Sequence, residues 1–198
     1  SDQIQGIRGF RTDLIVFAKN SIHKLININD SANIRIDPIT ENVGCLSGYS
    51  VQEIGGDLLF LSPDGIRTIA GTARIGDVEL SSISRQVQQI IGELAAKVNE
   101  YTINSTVLRS KSQYRLFYST TSQEPGQAKG VIGTFTGQGF EWSETLGIQA
   151  LGITSDFNKN VVEVAFHEYL GHYGLRRMFN AGKFNPDNSL SRDLWYFL

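Results

Sequence analysis

Asp13-Leu14-Ile15-Val16-Phe17-Ala18-Lys19-Asn20-Ser21-Ile22-His23-Lys24-Leu25 aligns without a gap on Asp57-Leu58-Leu59-Phe60-Leu61-Ser62-Pro63-Asp64-Gly65-Ile66-Arg67-Thr68-Ile69, 44 residues further along the chain. Each copy holds an apolar run of strand length, then a turn, then a second strand of alternating character. The turn Ser62-Pro63-Asp64-Gly65 has the chemistry a hairpin needs: proline presets φ, aspartate tolerates the turn and glycine takes up positive φ. The two stretches are therefore predicted to be hairpins of one design, and an internal repeat organises the chain.

Weaker copies follow. Tyr114-Arg115-Leu116-Phe117-Tyr118 begins about 56 residues after the second unit, and Val161 to Phe166 with Tyr173 to Met178 about 46 after that, so four β units fit in 198 residues. The longer interval is explained by an insertion, since Ile83, Val87, Ile90, Ile91, Leu94 and Val98 recur at helical spacing after Ser81 and Ser82, which can cap. One amphipathic helix is expected near 82–98, packed on a sheet edge or a neighbour. Antiparallel strands repeating every ~40–50 residues are the signature of β-propeller blades, which close in rings of ~4–8. The expected fold is thus all-β: a propeller arc with one inserted helix, its first blade at 1–44, its second at 45–100 and one or two further blades at 101–198. A β-sandwich with two similar hairpins is the alternative.

Composition narrows the function. The chain has 18 Lys+Arg against 20 Asp+Glu, a net charge of -2, and 40% hydrophobic residues, so a basic field that would recruit nucleic acid is missing. No apolar run approaches the ~20 residues of a spanning helix, and no stable membrane anchor is expected. The single cysteine, Cys45, cannot close a disulfide within the chain or build a thiolate zinc site; following Gly44 and preceding Leu46, it reads as a small buried hydrophobe. Met178 is the only methionine and the sequence ends on Leu194-Trp195-Tyr196-Phe197-Leu198, so the chain is expected to be a piece of something longer.

Motifs that could carry chemistry are few. His167-Glu168-Tyr169-Leu170-Gly171-His172 evokes a zinc-protease helix, which needs histidines at i and i+4 on one face. Here the spacing is i and i+5, which separates the rings by about 140° on a helix and puts them on opposite faces of a strand. A shared zinc, the requirement of a metalloprotease reading, is not expected. His23 stands alone in a strand, and no Gly-x-Ser-x-Gly elbow is present. Glu141 and Glu144, three apart on a strand, face opposite sides and do not form a glycosidase pair. Gly71 to Gly76 lacks the Lys-Ser/Thr of a phosphate loop, and Gly137-Gln138-Gly139 reads as a β turn. What remains is positive charge: Arg109, Lys111 and Arg115, interleaved with Tyr114 and Tyr118, and Arg176 with Arg177. The first three are the candidate contact for a phosphate or a partner subunit. No catalytic residue, cofactor or metal site is expected.

The stretch Gly44 to Arg67, followed by Ile83-Ser84-Arg85 and Ile90-Ile91, resembles the blades of the tail nozzle family of short-tailed, T7-like bacteriophages. Phe17-Ala18-Lys19-Asn20-Ser21-Ile22-His23-Lys24-Leu25 is similar to a blade of the same family, as is Trp142 to Gly182. The resemblance implies a structural virion protein of the phage tail. Its subunits form a homo-oligomeric ring, a hexamer, below the adaptor ring and beside the tail fibres, and double-stranded DNA passes through the central channel during ejection without sequence-specific binding. It carries no catalytic fingerprint. The chain is much shorter than a whole nozzle subunit. The other functional reading is a propeller that binds or cleaves glycans, whose mark would be converging carboxylates or aromatics at a central mouth.

Overall fold

Both repeated hairpins form: the first is the middle of a four-stranded antiparallel meander, and the second is the last two strands of a three-stranded one. The computed structural model describes residues 2–70, 83–120, 129–146, 152–155 and 163–166. Sheet I runs β1 (Ile4–Phe10), β2 (Asp13–Ala18), β3 (Ile22–Ile26) and β4 (Arg35–Thr40), in chain order. Sheet II is β5 (Gln52–Ile54), β6 (Asp57–Ser62) and β7 (Gly65–Thr68). Helix α1 (Gln88–Ala96) then leads to sheet III: β8 (Tyr101–Leu108), β9 (Gln113–Thr120), β10 (Lys129–Thr136) and β11 (Gly139–Leu146). A hairpin of β12 (Gly152–Ser155) and β13 (Glu163–Phe166) follows, with β12 running beside β8. The described residues are mostly antiparallel β with a short helix, and among them no closed barrel is found.

The sheets stack in the order in which they occur. Alternate side chains of a strand leave opposite faces, and β6 uses both. Leu58 and Phe60 join Ile15, Phe17 and Ile22 of sheet I, with Cys45, Val51 and Ile69, in one core; Phe17 and Phe60 meet at 5.4 Å between ring centroids. Leu59 and Leu61 join Ile54, Ile66, α1 residues Ile91 and Leu94, and sheet III residues Ile103, Val107, Tyr114, Leu116, Tyr118 and Val131 in a second core. The uninterrupted apolar run of β6 is thus the pattern of a strand buried on both sides.

The helix begins later than its periodicity predicts, at Gln88 rather than near 82, and ends at Ala96, flanked by 3-10 turns at Arg85–Val87 and Val98–Glu100. Residues 83 and 84 serve β7 instead. The Ile83 N–H donates to the Ile66 carbonyl at 2.9 Å, and the Ile66 N–H donates to Ser84 Oγ at 2.9 Å, so both are held against the edge of sheet II. Ser81, Ser82 and residues 71–76 lie outside the described residues.

Tight linkers tie the stack together. Between sheets I and II, the Cys45 N–H donates to the Ala18 carbonyl and the Leu46 N–H to the Leu61 carbonyl, at 2.8 and 2.9 Å. Gly44 lies against β2's exit: a Cβ there would stand 2.0 Å from the Lys19 carbonyl oxygen, an approach only glycine permits.

Candidate functional site

The candidate basic residues sit at one end of the β8–β9 hairpin. Arg109 and Lys111 are exposed in the 3-10 turn Arg109–Lys111, which Ser112 ends in the left-handed conformation at φ 52°. The Ser112 N–H donates to the Arg109 carbonyl at 3.1 Å, and the Ser112 carbonyl accepts the Phe135 N–H at 2.8 Å, which pins the turn to β10. Arg115 lies on β9 between Thr106 and Ile132, with Nε and Nη2 both donating to Gln113 Oε1, at 3.2 and 2.8 Å.

The tyrosines that interleave with this charge in the sequence do not join it. Tyr114 and Tyr118 are on the opposite face of β9, in the core shared with sheet II. Alternation along a strand puts Arg115 on the other face from both. Tyr114 is fully buried and its hydroxyl donates to the Ser50 carbonyl at 2.8 Å; burial drives its pKa far above the ordinary tyrosine value. Burial likewise pushes the Tyr118 hydroxyl up to about 12, with the charge of Glu144 adding to the effect. Neither ring is available for stacking on a nucleotide.

A shallow cleft of about 140 Å³ opens between this hairpin end and the β5–β6 turn, lined by Glu53, Ile54, Gly55, Gly56, Val107, Arg109 and Ser112. Gly55 and Gly56, with φ of 62° and 75°, form the two-residue turn that only glycine-like residues accept readily. That Gly-Gly pair between two strands is the signal in the sequence that could have marked this edge. With a volume below the ~300–1,000 Å³ of most ligand pockets, the cleft is a seam between sheets rather than a substrate chamber.

Cys45 is fully buried, and burial raises its thiol to about 11, which suppresses the reactive thiolate. His23 Nε2 lies 3.1 Å from Ser21 Oγ, but that hydroxyl donates to Asp2 Oδ2 at 2.8 Å; the acid therefore partners the serine rather than orienting the imidazole, which is not triad geometry. Glu141 and Glu144 pair with Thr134 and Val131, three apart on β11 and so on opposite faces. His167, His172, Arg176 and Arg177 lie outside the described residues, among which no group of three or more His, Cys, Asp or Glu could hold a metal. No helix of the described residues is long and apolar enough to cross a membrane.

No family model matches the sequence, and no curated protein matches it as a relative.

Proposed function

We propose that the chain is an arc of β-propeller blades from the tail nozzle of a short-tailed phage, a structural subunit of an oligomeric ring around a channel for DNA. One observation supports the propeller reading above others: three antiparallel meanders stack face to face in the order in which they occur, and the middle one is buried on both sides. A sandwich of two similar hairpins needs only two layers, whereas blades are added one after another. The nozzle assignment rests on the sequence resemblance of the units. A net charge of -2 suits a conduit, because each phosphate neutralised would add salt-dependent affinity and slow the passage of DNA. On this reading Arg109, Lys111 and Arg115, at one hairpin end, contact a neighbouring subunit or the phosphate backbone.

Electron microscopy of intact virions and of the purified protein tests the proposal. Sixfold density at the tail tip that accommodates the three stacked sheets is the expected result. A soluble monomer absent from virions refutes it.

A further inference from the structure

The first sheet has a bare face of the wrong chemistry for solvent. Cross-strand partners share a face, so the pairings assign Ile7–Val16–His23–Pro38 and Gly9–Leu14–Leu25–Ile36 to the side of sheet I that points away from sheet II. These two rows contain no Asp, Glu, Lys or Arg. The charged residues of the sheet lie on the other side, in the rows Arg8–Ile15–Lys24–Asp37 and Phe10–Asp13–Ile26–Arg35, around the core shared with sheet II. On the uncharged side Ile36 is 64% exposed and Ile7 46%. Of the seven exposed large hydrophobic residues among those described, five (Ile4, Ile7, Ile28, Ile34 and Ile36) belong to this first unit, so the exposure is concentrated rather than scattered.

The repeat says what such a face is for. Leu14-Ile15-Val16-Phe17 of β2 and Leu58-Leu59-Phe60-Leu61 of β6 occupy the same place in the aligned units. The β6 run is apolar at every position because a sheet covers each of its faces. The β2 run has the same unbroken pattern, with Ile15 and Phe17 buried against sheet II and Leu14 and Val16 only half-buried on the far side. We infer that this far side of sheet I is an interface, and that its occupant is a further antiparallel sheet of the same polypeptide, stacked as sheet I is on sheet II. The inference rests on reading the sheets as consecutive blades. It continues the interface that the stack already uses, and the lack of charge selects an apolar sheet face over a polar or nucleic-acid partner.

Single cysteines introduced by Ile36→Cys and, at the other edge of the same face, Ile7→Cys test this in the full-length protein as purified. A charged maleimide is the probe, and the native Cys45, buried between sheets I and II, is the internal control. The thiol at position 36 or 7 is expected to label at least ~100-fold more slowly than in the urea-unfolded chain, as Cys45 does, and to give no disulfide-linked dimer under mild oxidation. Fast labelling at position 36 and 7 with Cys45 still protected overturns the covered face while leaving the stack of blades intact. A dimer linked through position 36 assigns the face to a second copy and overturns the inference equally. Fast labelling of Cys45 as well removes the stacking on which both this inference and the propeller reading depend.

Discussion

Replacing Gly44 by alanine adds one methyl group where sheets I and II are joined, and its cost can be worked from the structure. The new Cβ would stand 2.0 Å from the Lys19 carbonyl oxygen, 2.1 Å from its carbon and 2.4 Å from the Asn20 nitrogen. All three are backbone atoms, so no side-chain rotation relieves the overlap. The linker must move away from the β2–β3 turn by more than 1 Å to restore ordinary contact near 3.4 Å. That displacement breaks the 2.8 Å bond from the Cys45 N–H to the Ala18 carbonyl, both in buried residues, and loosens Cys45 in its core. Overpacking typically costs about 1–3 kcal/mol and an orphaned buried acceptor about 1–3 more, so Gly44→Ala is expected to destabilise by about 2–6 kcal/mol.

The matched control makes the same chemical change in open space. Gly92 lies in α1 with nothing within 4 Å of an added Cβ, so Gly92→Ala is expected to stabilise by about 0.5–1 kcal/mol through helix propensity. At about 2–4 °C per kcal/mol for a chain of this size, thermal unfolding should fall by about 4–24 °C for Gly44→Ala and rise by about 1–4 °C for Gly92→Ala. Equal midpoints for the two variants would refute the close approach of the linker to sheet I, and with it the way the first two sheets are joined.

Removing the buried hydroxyl with Tyr114→Phe leaves the Ser50 carbonyl without its 2.8 Å donor, and a loss of about 1–2 kcal/mol in denaturant unfolding is expected; no loss would mean that sheets II and III are not tied there. Asp64 has a lowered pKa: its partial burial raises the value, but bonds from Arg67 and Ser62 and the charge of Arg67 outweigh that. Because the folded value lies below the unfolded one, near 3.8, this stabilisation is present above pH about 4 and lost as pH falls through the folded value. Asp64→Asn should therefore flatten the acid limb of the stability profile, and an unchanged limb would argue against the Arg67 pairing. Charge reversal at the exposed turn, Arg109→Glu with Lys111→Glu, should leave the unfolding midpoint of the isolated chain within about 2 °C while weakening ring assembly, read by native mass and by infectivity; unchanged assembly and infectivity would assign the turn to solvent.

What could be read in the sequence was whatever local pattern controls. The turn at Ser62 to Gly65 is legible because φ at Gly65 is 145° and the Ser62 hydroxyl bonds to the Gly65 carbonyl at 2.8 Å, both consequences of the turn residues themselves. The strands β1, β4 and β5 were not read. The first two combine exposed isoleucines with charged neighbours, and β5 is only Gln52-Glu53-Ile54, so they lack the unbroken apolar run that marks β2 and β6. The start of α1 was misplaced because Ile83 fits a helical stripe as well as it fits its actual place along β7, and only the tertiary hydrogen bonds separate the two. Tyr114 and Arg115, neighbours in the chain, likewise lie on opposite faces of β9.

Apolar faces alone would let two sheets slide and rotate against each other, since burial is proportional to area and has no direction. Directional contacts at the seams remove that freedom. Ser105 Oγ donates to the Tyr49 carbonyl at 2.6 Å, Gln52 Nε2 donates to the Ser105 carbonyl at 3.0 Å, and Trp142 Nε1 donates to the Ile83 carbonyl at 2.7 Å, each joining sheet III to sheet II or its linker. On the other side Gly44 and Gly48 bring backbone to backbone between sheets II and I, with Gly48 close enough to Gly6 and Gln5 that a Cβ would meet the Gln5 carbonyl oxygen at 2.1 Å. Each sheet is thus held to the next by contacts that a small rotation would break. On the proposed blade reading, joints of this kind would fix the angle from each sheet to the next.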